Sequence, residues 1–153
     1  MRSLETAIPP PALAALAALA MWVISLVAPT LQMPAAARVA ACAASALGGL
    51  FFSVAGVVSF RRAQTTLDPT KPETASSLVS SGIYRVTRNP MYVGLCFVLF
   101  AWGVFLSSAW ALLGLLAFVL YLGRFQIAPE ERALARLFGT EYTAYQAKVR
   151  RWL

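Results

Sequence analysis

The sequence predicts an all-α integral membrane protein with about four transmembrane helices, followed by amphipathic C-terminal helices at the membrane interface. Hydrophobic residues make up 59% of the 153 residues and charged residues only 12%, whereas soluble domains average about 25% charged residues. A membrane crossing needs about 20 mostly apolar residues. Stretches of suitable composition lie at 11–27, 39–60, 90–106 and 109–127. We therefore expect one membrane domain over residues 1–153, with no room for a separate soluble domain.

The first two spans, 11–27 and 39–60, flank a segment of small residues, Pro34-Ala35-Ala36-Ala37. A secretory signal peptide also combines an early Arg, an apolar run and a small-residue cleavage site, so removal of the first span is an alternative. The apolar run is long for a signal peptide, and a second span follows it at once. The sequence therefore favours a retained first span.

Small residues recur at every fourth position of the second span, at Ala41, Ser45, Gly49 and Ser53. Residues spaced in this way share one face of a helix. Small side chains on such a face allow two membrane helices to approach closely. The pattern predicts packing against the first or third span of the same chain, with dimerisation through this face as the alternative.

The charges predict the orientation of the chain. The net charge is +7, with five of the 13 Lys and Arg residues within 61–88 and six within 124–151, whereas the turn 106–109 has none. Basic residues collect on the cytoplasmic side of a membrane. We therefore expect an inner-membrane protein with a cytoplasmic loop at 61–89 and, because the number of spans is even, both termini inside. Topology and attraction to anionic lipid explain these cations without a nucleic-acid partner.

Metal chemistry is not expected from this composition. The sequence has no His, and Cys42 and Cys96 lie inside apolar spans without the spacing of a metal site. Histidine-ligated haem is excluded, and too few ligands remain for a zinc or iron–sulfur site. The two cysteines are interpreted as small packing residues.

Polar residues precede the hairpin that the last two spans form. The segment 82–94 reads GIYRVTRNPMYVG. Asn is a favourable N-cap and Pro is favourable in the first helical turn, so a helix start explains Asn89 and Pro90. It does not explain the polar residues around them, Tyr84, Arg85, Arg88 and Tyr92, and this makes the segment a candidate site.

Further polar residues follow the hairpin, in the region 129–152. Its pattern predicts two amphipathic helices at the cytoplasmic interface, with Gly139 between them. The adjacent carboxylates Glu130 and Glu131 are unexpected at a surface rich in anionic lipid, unless they meet Arg or a cationic ligand. Polar groups at the mouth of a membrane hairpin are costly, and this favours a functional role.

The order of these motifs is more specific than any one of them. RNPMYVG stands at 88–94, Glu130-Glu131 follows the hairpin, LFGTEYTAY stands at 137–145 and VRR at 149–151. In this order, the region from about 82 to 152 resembles the C-terminal signature of the isoprenylcysteine carboxyl methyltransferase and phospholipid methyltransferase family. Phe60 and Gln64-Thr65-Thr66 are also similar to the segment that leaves the preceding span in bacterial members.

The resemblance implies an integral membrane enzyme that transfers a methyl group from S-adenosylmethionine to a lipid-like or membrane-embedded small acceptor at the cytoplasmic membrane face. Carboxylates suit the ribose hydroxyls or the ammonium of this cofactor, Arg suits its carboxylate, and Tyr faces suit the sulfonium or the adenine. The residues that the resemblance places at the cofactor are Tyr84, Arg88, Asn89, Pro90, Tyr92, Glu130 and Glu131. The catalytic candidates are Arg85 and Arg88 for orienting an anion or the acceptor, together with Glu130. An amine acceptor needs a base, for which Glu130, Glu131 or a Tyr is available.

Two other functions remain open at this point. A non-enzymatic membrane scaffold or accessory protein could retain the fold, and a nicotinamide-dependent membrane reductase shares part of the architecture, although this chain is short for a dinucleotide pocket. A soluble methyltransferase fold is excluded because no Gly-rich dinucleotide fingerprint is present. Eukaryotic carboxyl methyltransferases usually have His where Asn89 stands, so a prenylated cysteine is not implied as the acceptor.

Overall fold

The computed structural model describes residue 5, residues 7–63 and residues 77–153. The middle of the predicted loop, including Gln64-Thr65-Thr66, therefore lies outside the described residues. Within them the structure is helical without strands, which confirms the all-α class. The helices are α1 (Pro10–Val27), α2 (Ala35–Arg62), α3 (Pro90–Phe105), α4 (Leu112–Tyr121) and α5 (Ala128–Lys148). A 3₁₀ turn, Gly82–Arg85, precedes α3, and a π-helical turn, Leu122–Ile127, joins α4 to α5.

The lengths of the helices support a membrane protein. Among the described residues, 3 helices are long and apolar enough to cross a bilayer: α1, α2 and the continuous helix from Leu112 to Lys148. Helix α3 is also apolar but has 16 residues, which is about 24 Å at 1.5 Å per residue. That length is below the roughly 30 Å of a hydrocarbon core. The predicted number of four crossings therefore stays a prediction, and α3 is its short member.

The outward faces of these helices are apolar. Leu26 of α1 is 65% exposed, Leu47 of α2 is 66% exposed and Leu120 of α4 is 63% exposed. A soluble protein rarely exposes so continuous an apolar surface, and a large exposed patch indicates an interaction with a membrane or another protein. Lipid tails are the natural neighbours of these faces.

Helices α2 and α3 approach each other closely through their small residues. A methyl group added to Gly49 would lie 2.9 Å from the carbonyl oxygen of Gly94. A methyl group added to Gly94 would lie 2.8 Å from the carbonyl oxygen of Gly49 and would overlap Oγ of Ser53. Ser45 on the same face is buried. These contacts confirm the predicted intramolecular packing and identify the third span as the partner.

Replacing Gly94 with Ala is expected to destabilise the protein by about 1–3 kcal/mol, because the added methyl group forces the two backbones apart. Thermal unfolding in detergent measures the change. Gly123→Ala is the matched control, since nothing lies within 4 Å of a methyl group at that helical position. The control should unfold at the wild-type temperature or slightly above it. Equal unfolding temperatures for the two variants would contradict the close packing.

Helix α1 completes the main core by packing on α3 and α4. Met21 is 0% exposed, and its side chain fills the space left by Gly103 of α3 and Gly114 of α4. Nε1 of Trp102 donates a hydrogen bond to the carbonyl oxygen of Ala18 at 3.0 Å. This bond satisfies the indole group inside an apolar bundle, where an unpaired donor would be costly.

The last span and the first C-terminal helix form one continuous helix, Leu112–Lys148. Pro129 would ordinarily start a new helix or kink an existing one, because Pro removes a backbone donor and its ring displaces the preceding turn. Here the chain passes Pro129 through the π-helical turn that lies just before it. A widened turn accommodates the proline without ending the helix.

Gly139 interrupts α5 at the position predicted between two amphipathic helices. Its backbone has φ 50° and ψ −120°, a conformation that favours glycine. The helix ends at Lys148 and Val149 is extended, so Trp152 does not continue the helical face of Tyr142 and Tyr145. Trp152 instead packs against the main core.

Both described chain ends and the loop ends gather at one end of the bundle. A methyl group on Gly56 of α2 would meet Pro90 and Met91, so the end of α2 lies beside the start of α3. Oε2 of Glu5 accepts a hydrogen bond from Nη2 of Arg132 at 2.7 Å. Arg38 lies at the opposite end, where its Nη1 donates to Oγ of Ser107 at 3.1 Å. We call the end that holds Pro90 and Arg132 the polar end.

Candidate functional site

The carboxyl group of Glu130 faces inward at the polar end. The hydroxyl of Tyr92 donates to its Oε1 at 2.6 Å, and Nε2 of Gln126 donates to the same oxygen at 2.6 Å. Tyr92 is 6% exposed and Gln126 is 2% exposed. The carboxyl group is therefore held from two elements, the first turn of α3 and the π-helical turn.

The surroundings of Glu130 oppose its ionisation near neutral pH. Burial raises the pKa of this carboxyl to about 7, the hydrogen bonds from Tyr92 and Gln126 lower it, and the charge of Glu131 raises it. The pKa of about 7 means that protonated and ionised forms coexist at physiological pH. A group in this state is suited to accepting and releasing a proton.

Glu131 joins two arginines from different parts of the chain. Nη2 of Arg88 lies 3.2 Å from its Oε1. Arg151 forms a two-pronged contact, with Nε to Oε1 at 3.0 Å and Nη2 to Oε2 at 2.5 Å. The side chains of Arg88 and Glu131 are 13% and 14% exposed. We call these three residues the Glu131 ion-pair group.

Two nitrogen donors of Arg88 make no hydrogen bond with the described residues. Its Nε and Nη1 are buried and have no hydrogen-bond partner among the described residues. Buried donors without partners are rare because each costs free energy. Donors of this kind suit an anionic group such as a carboxylate.

The segment that follows α5 holds the start of α3 in place. The backbone N–H of Arg88 donates to the carbonyl oxygen of Arg150 at 3.0 Å. The carbonyl oxygen of Arg151 accepts from Nδ2 of Asn89 at 2.9 Å and from Oγ1 of Thr87 at 3.3 Å. Asn89 occupies the predicted N-cap position of α3 and Pro90 begins the helix, but the side chain of Asn89 makes no capping hydrogen bond. It joins two segments of the site instead.

Three tyrosines form a second cluster beside the ion pairs. Tyr84, Tyr142 and Tyr145 are all buried, and the hydroxyl of Tyr145 donates to the carbonyl oxygen of Tyr84 at 2.7 Å. Burial raises the pKa of Tyr84 well above its ordinary value. Burial also raises the pKa of Tyr142 to about 12; the charge of Glu131 raises it too and that of Arg88 lowers it. These phenols are neutral hydrogen-bond donors at physiological pH.

Most of the residues proposed from the sequence meet at the polar end. Arg88, Asn89, Tyr92, Glu130 and Glu131 are joined by the contacts above, Pro90 is the buried first residue of α3, and Tyr84 lies in the tyrosine cluster. Arg85 differs from them. It is exposed, and it makes no hydrogen bond or ion pair with the rest of the described chain.

Gln126, Arg151 and Thr87 were not proposed from the sequence. Gln126 precedes Glu130 by four positions, a spacing that brings side chains together on a helix, and this signal was available. Thr87 contacts Arg151, 64 positions away, and Arg151 contacts Glu131, 20 positions away. Only the fold brings these residues together. Among the described residues, no group of three or more His, Cys, Asp or Glu could hold a metal ion.

The fold and the site define a helical protein of membrane type with a carboxylate–arginine site at one end of its bundle. The family model for phospholipid methyltransferases matches residues 37–141. The chain belongs to the phospholipid methyltransferase family. It is also 48% identical over 63 residues to a Haemophilus influenzae protein described only as uncharacterized, a match that covers 41% of this chain and 100% of that relative. No solved structure matches the chain.

Proposed function

We propose that this protein transfers a methyl group from S-adenosylmethionine to a lipid-like or membrane-embedded acceptor at the cytoplasmic face of the inner membrane. Membership of a methyltransferase family supports the reaction class. The observation that carries the proposal is that Glu130 and Arg88 lie at the same end of the bundle. Arg88 is paired with Glu131, the neighbour of Glu130, and its Nε and Nη1 lack hydrogen-bond partners among the described residues. This arrangement offers one anionic and one cationic group at the end of an apolar bundle.

The residues present fit this cofactor. The carboxylate and ammonium groups of an amino acid need a cation and an anion at one site, and Arg88 and Glu130 supply these charges at the polar end. Aromatic rings suit a sulfonium or an adenine, and Tyr84 and Tyr92 are buried nearby. When bound, S-adenosylmethionine would supply an already activated methyl group, so the protein needs mainly to position the acceptor and to exclude water.

The acid–base work falls to Glu130 in this proposal. An amine acceptor must lose a proton before it attacks a methyl group, and a base is most effective when its pKa lies near the working pH. Glu130 meets this condition because burial raises its pKa to about 7. The tyrosines do not meet it, since burial raises the pKa of Tyr84 and Tyr142. Glu131 is occupied by Arg88 and Arg151.

Arg85 has a separate proposed role. It is exposed at the polar end, on the 3₁₀ turn that leads to Arg88. A cation in this position is suited to an anionic acceptor or to anionic lipid headgroups. The cluster of basic residues at this end supports a cytoplasmic orientation, with both termini inside and residues 1–153 forming one membrane domain.

Calorimetry with S-adenosylhomocysteine, on purified protein in detergent and in lipid, tests the function. We expect micromolar binding by the wild type. Arg88→Gln should weaken binding at least about 10-fold, because a charge-assisted hydrogen bond contributes about 1.5–3 kcal/mol. Arg85→Gln is the matched control on the same short segment and should change binding less than twofold, while it slows methyl transfer to an acidic lipid extract. No binding by folded wild-type protein would refute the methyltransferase proposal and favour a scaffold.

A further inference from the structure

Gln126 is a polar side chain in surroundings where an apolar one would cost less. It is 2% exposed and lies in the π-helical turn between the apolar helix α4 and the charged helix α5. Burial of an amide is unfavourable unless its hydrogen bonds are made. Its Nε2 donates to Oε1 of Glu130 at 2.6 Å, a charge-assisted bond when the carboxyl is ionised. This bond offsets the cost of placing Gln126 there.

The two oxygens of the Glu130 carboxyl differ in their hydrogen bonding. Tyr92 and Gln126 both donate to Oε1. Oε2 accepts no hydrogen bond from the other described residues. Since the donors come from two different elements, they fix both the position and the plane of the carboxyl group. One oxygen is thus held by the protein, and the other has lone pairs left for a ligand.

We infer that Gln126 is a positioning residue: with Tyr92, it holds Oε1 of Glu130 so that Oε2 is kept for a cationic or hydroxyl group of the ligand. The role of Glu130 as a ligand-binding residue rests on the proposed function. The contact between Gln126 and Glu130 does not, and this difference makes the two ideas separable by experiment. Gln126 itself acts through Glu130 and needs no contact with the reacting atoms.

The direction of the expected change follows from the type of bond. A hydrogen bond from an amide N–H stabilises the ionised carboxylate, and the amide itself does not titrate. Removing the amide therefore raises the pKa of Glu130. The other titratable groups that face Glu130 are Tyr84, Tyr92 and Glu131. Tyr92 already donates to Glu130, and Tyr84 is a neutral neighbour. Glu131 is negative and stays paired with its two arginines. None of these groups therefore replaces the lost donor.

Difference infrared spectroscopy across a pH titration measures the Glu130 carboxyl directly. Glu130→Gln identifies its band by removing it. In Gln126→Met, which retains the length of the side chain without a donor, we expect the titration midpoint to rise by at least about half a pH unit. Tyr92→Phe removes the other donor to the same oxygen and should move the midpoint in the same direction, so a Gln126 variant that does not fold leaves the inference testable. An unmoved midpoint in a folded Gln126→Met protein would overturn it.

Binding of S-adenosylhomocysteine then tests the positioning role. At pH 7 we expect Gln126→Met to bind about 10-fold more weakly than the wild type, with most of the loss recovered at pH 8.5, where Glu130 is ionised even with a raised pKa. A structural role would give the same loss at every pH, and that outcome would refute the inference. If the wild type binds no S-adenosylhomocysteine at all, the proposed function and the ligand role of Gln126 both fail, while the infrared result still decides whether Gln126 controls Glu130.

Discussion

Replacing Glu130 with Gln is expected to lower the affinity for S-adenosylhomocysteine at pH 8 at least about 10-fold and to slow methyl transfer to an amine acceptor about 100-fold. The first effect follows from losing a charged partner for the ammonium or ribose hydroxyls of the ligand. The second follows from losing a base, since general-base catalysis contributes about 10²–10⁴-fold. Calorimetry and incorporation of a labelled methyl group into extracted lipid measure the two effects separately.

The same substitution should remove a pH dependence. The pKa of Glu130, about 7 in the folded protein, lies above its ordinary value of about 4.3. Wild-type affinity for a cationic ligand should therefore rise between about pH 6 and pH 8, as the carboxyl ionises. Between about pH 4.5 and pH 7 the folded state binds more protons than the unfolded state, so the free energy of unfolding falls as the pH rises through this range. Glu130→Gln should flatten both profiles and unfold at a higher temperature than the wild type at pH 8.

Glu141→Gln is the control for these effects. Glu141 lies on the same helix, is exposed, and makes no ion pair with the other described residues. This variant should bind the ligand as the wild type does and retain its pH dependence. If Glu141→Gln and Glu130→Gln reduced binding equally, a general loss of negative charge at the polar end would explain the result, and the specific role of Glu130 would be wrong.

Replacing Glu131 with Gln is expected to destabilise the fold by about 3–5 kcal/mol, the usual cost of removing one partner from a buried ion pair. Arg88 would keep its charge at 13% side-chain exposure with no anion beside it. Arg151 would lose both prongs of its contact, and the segment after α5 would hold the start of α3 less firmly. Thermal and denaturant unfolding in detergent measure the loss.

The exposed pair of Arg132 and Glu5 provides the comparison. The side chains of this pair are 47% and 23% exposed, so Arg132→Gln should cost less than about 1 kcal/mol. Adding Arg88→Gln to Glu131→Gln should recover part of the stability, because no unpaired guanidinium then remains in the interior. Equal stabilities of the Glu131 and Arg132 variants would show that the Glu131 ion-pair group is not structural.

The sequence was sufficient for the helical class because long apolar runs have few alternatives in a membrane. Close packing of α2 within the chain was also predictable, since Gly49 and Ser53 share one face and a neighbouring helix has to fill it, but the choice of α3 over α1 was not. The join between α4 and α5 was not. Proline normally predicts a break, and whether a π-helical turn absorbs it depends on how Phe118 and Ile127 pack in the core, which no local pattern contains.

The candidate site divides in the same way. Arg88, Tyr92, Glu130 and Glu131 were proposed because charged and hydroxyl groups beside a membrane hairpin are costly without a role. Which carboxylate faces which partner was not predictable, because adjacent residues on a helix point about 100° apart and only the fold decides their neighbours. Thus Glu131 pairs with Arg151, whereas Glu130 faces Tyr92 and Gln126.

The π-helical turn at Leu122–Ile127 changes the helical register between α4 and α5. A π turn contains about one residue more than an α turn, so it rotates everything after it by roughly 100° relative to an uninterrupted α-helix. The lipid-facing residues of α4 and the site-facing residues of α5 therefore follow two different registers within one continuous helix. A relative with one residue fewer in this stretch would form a regular α-helix and still present Glu130 in the direction it takes here, so alignments of the family should place a one-residue gap at this turn.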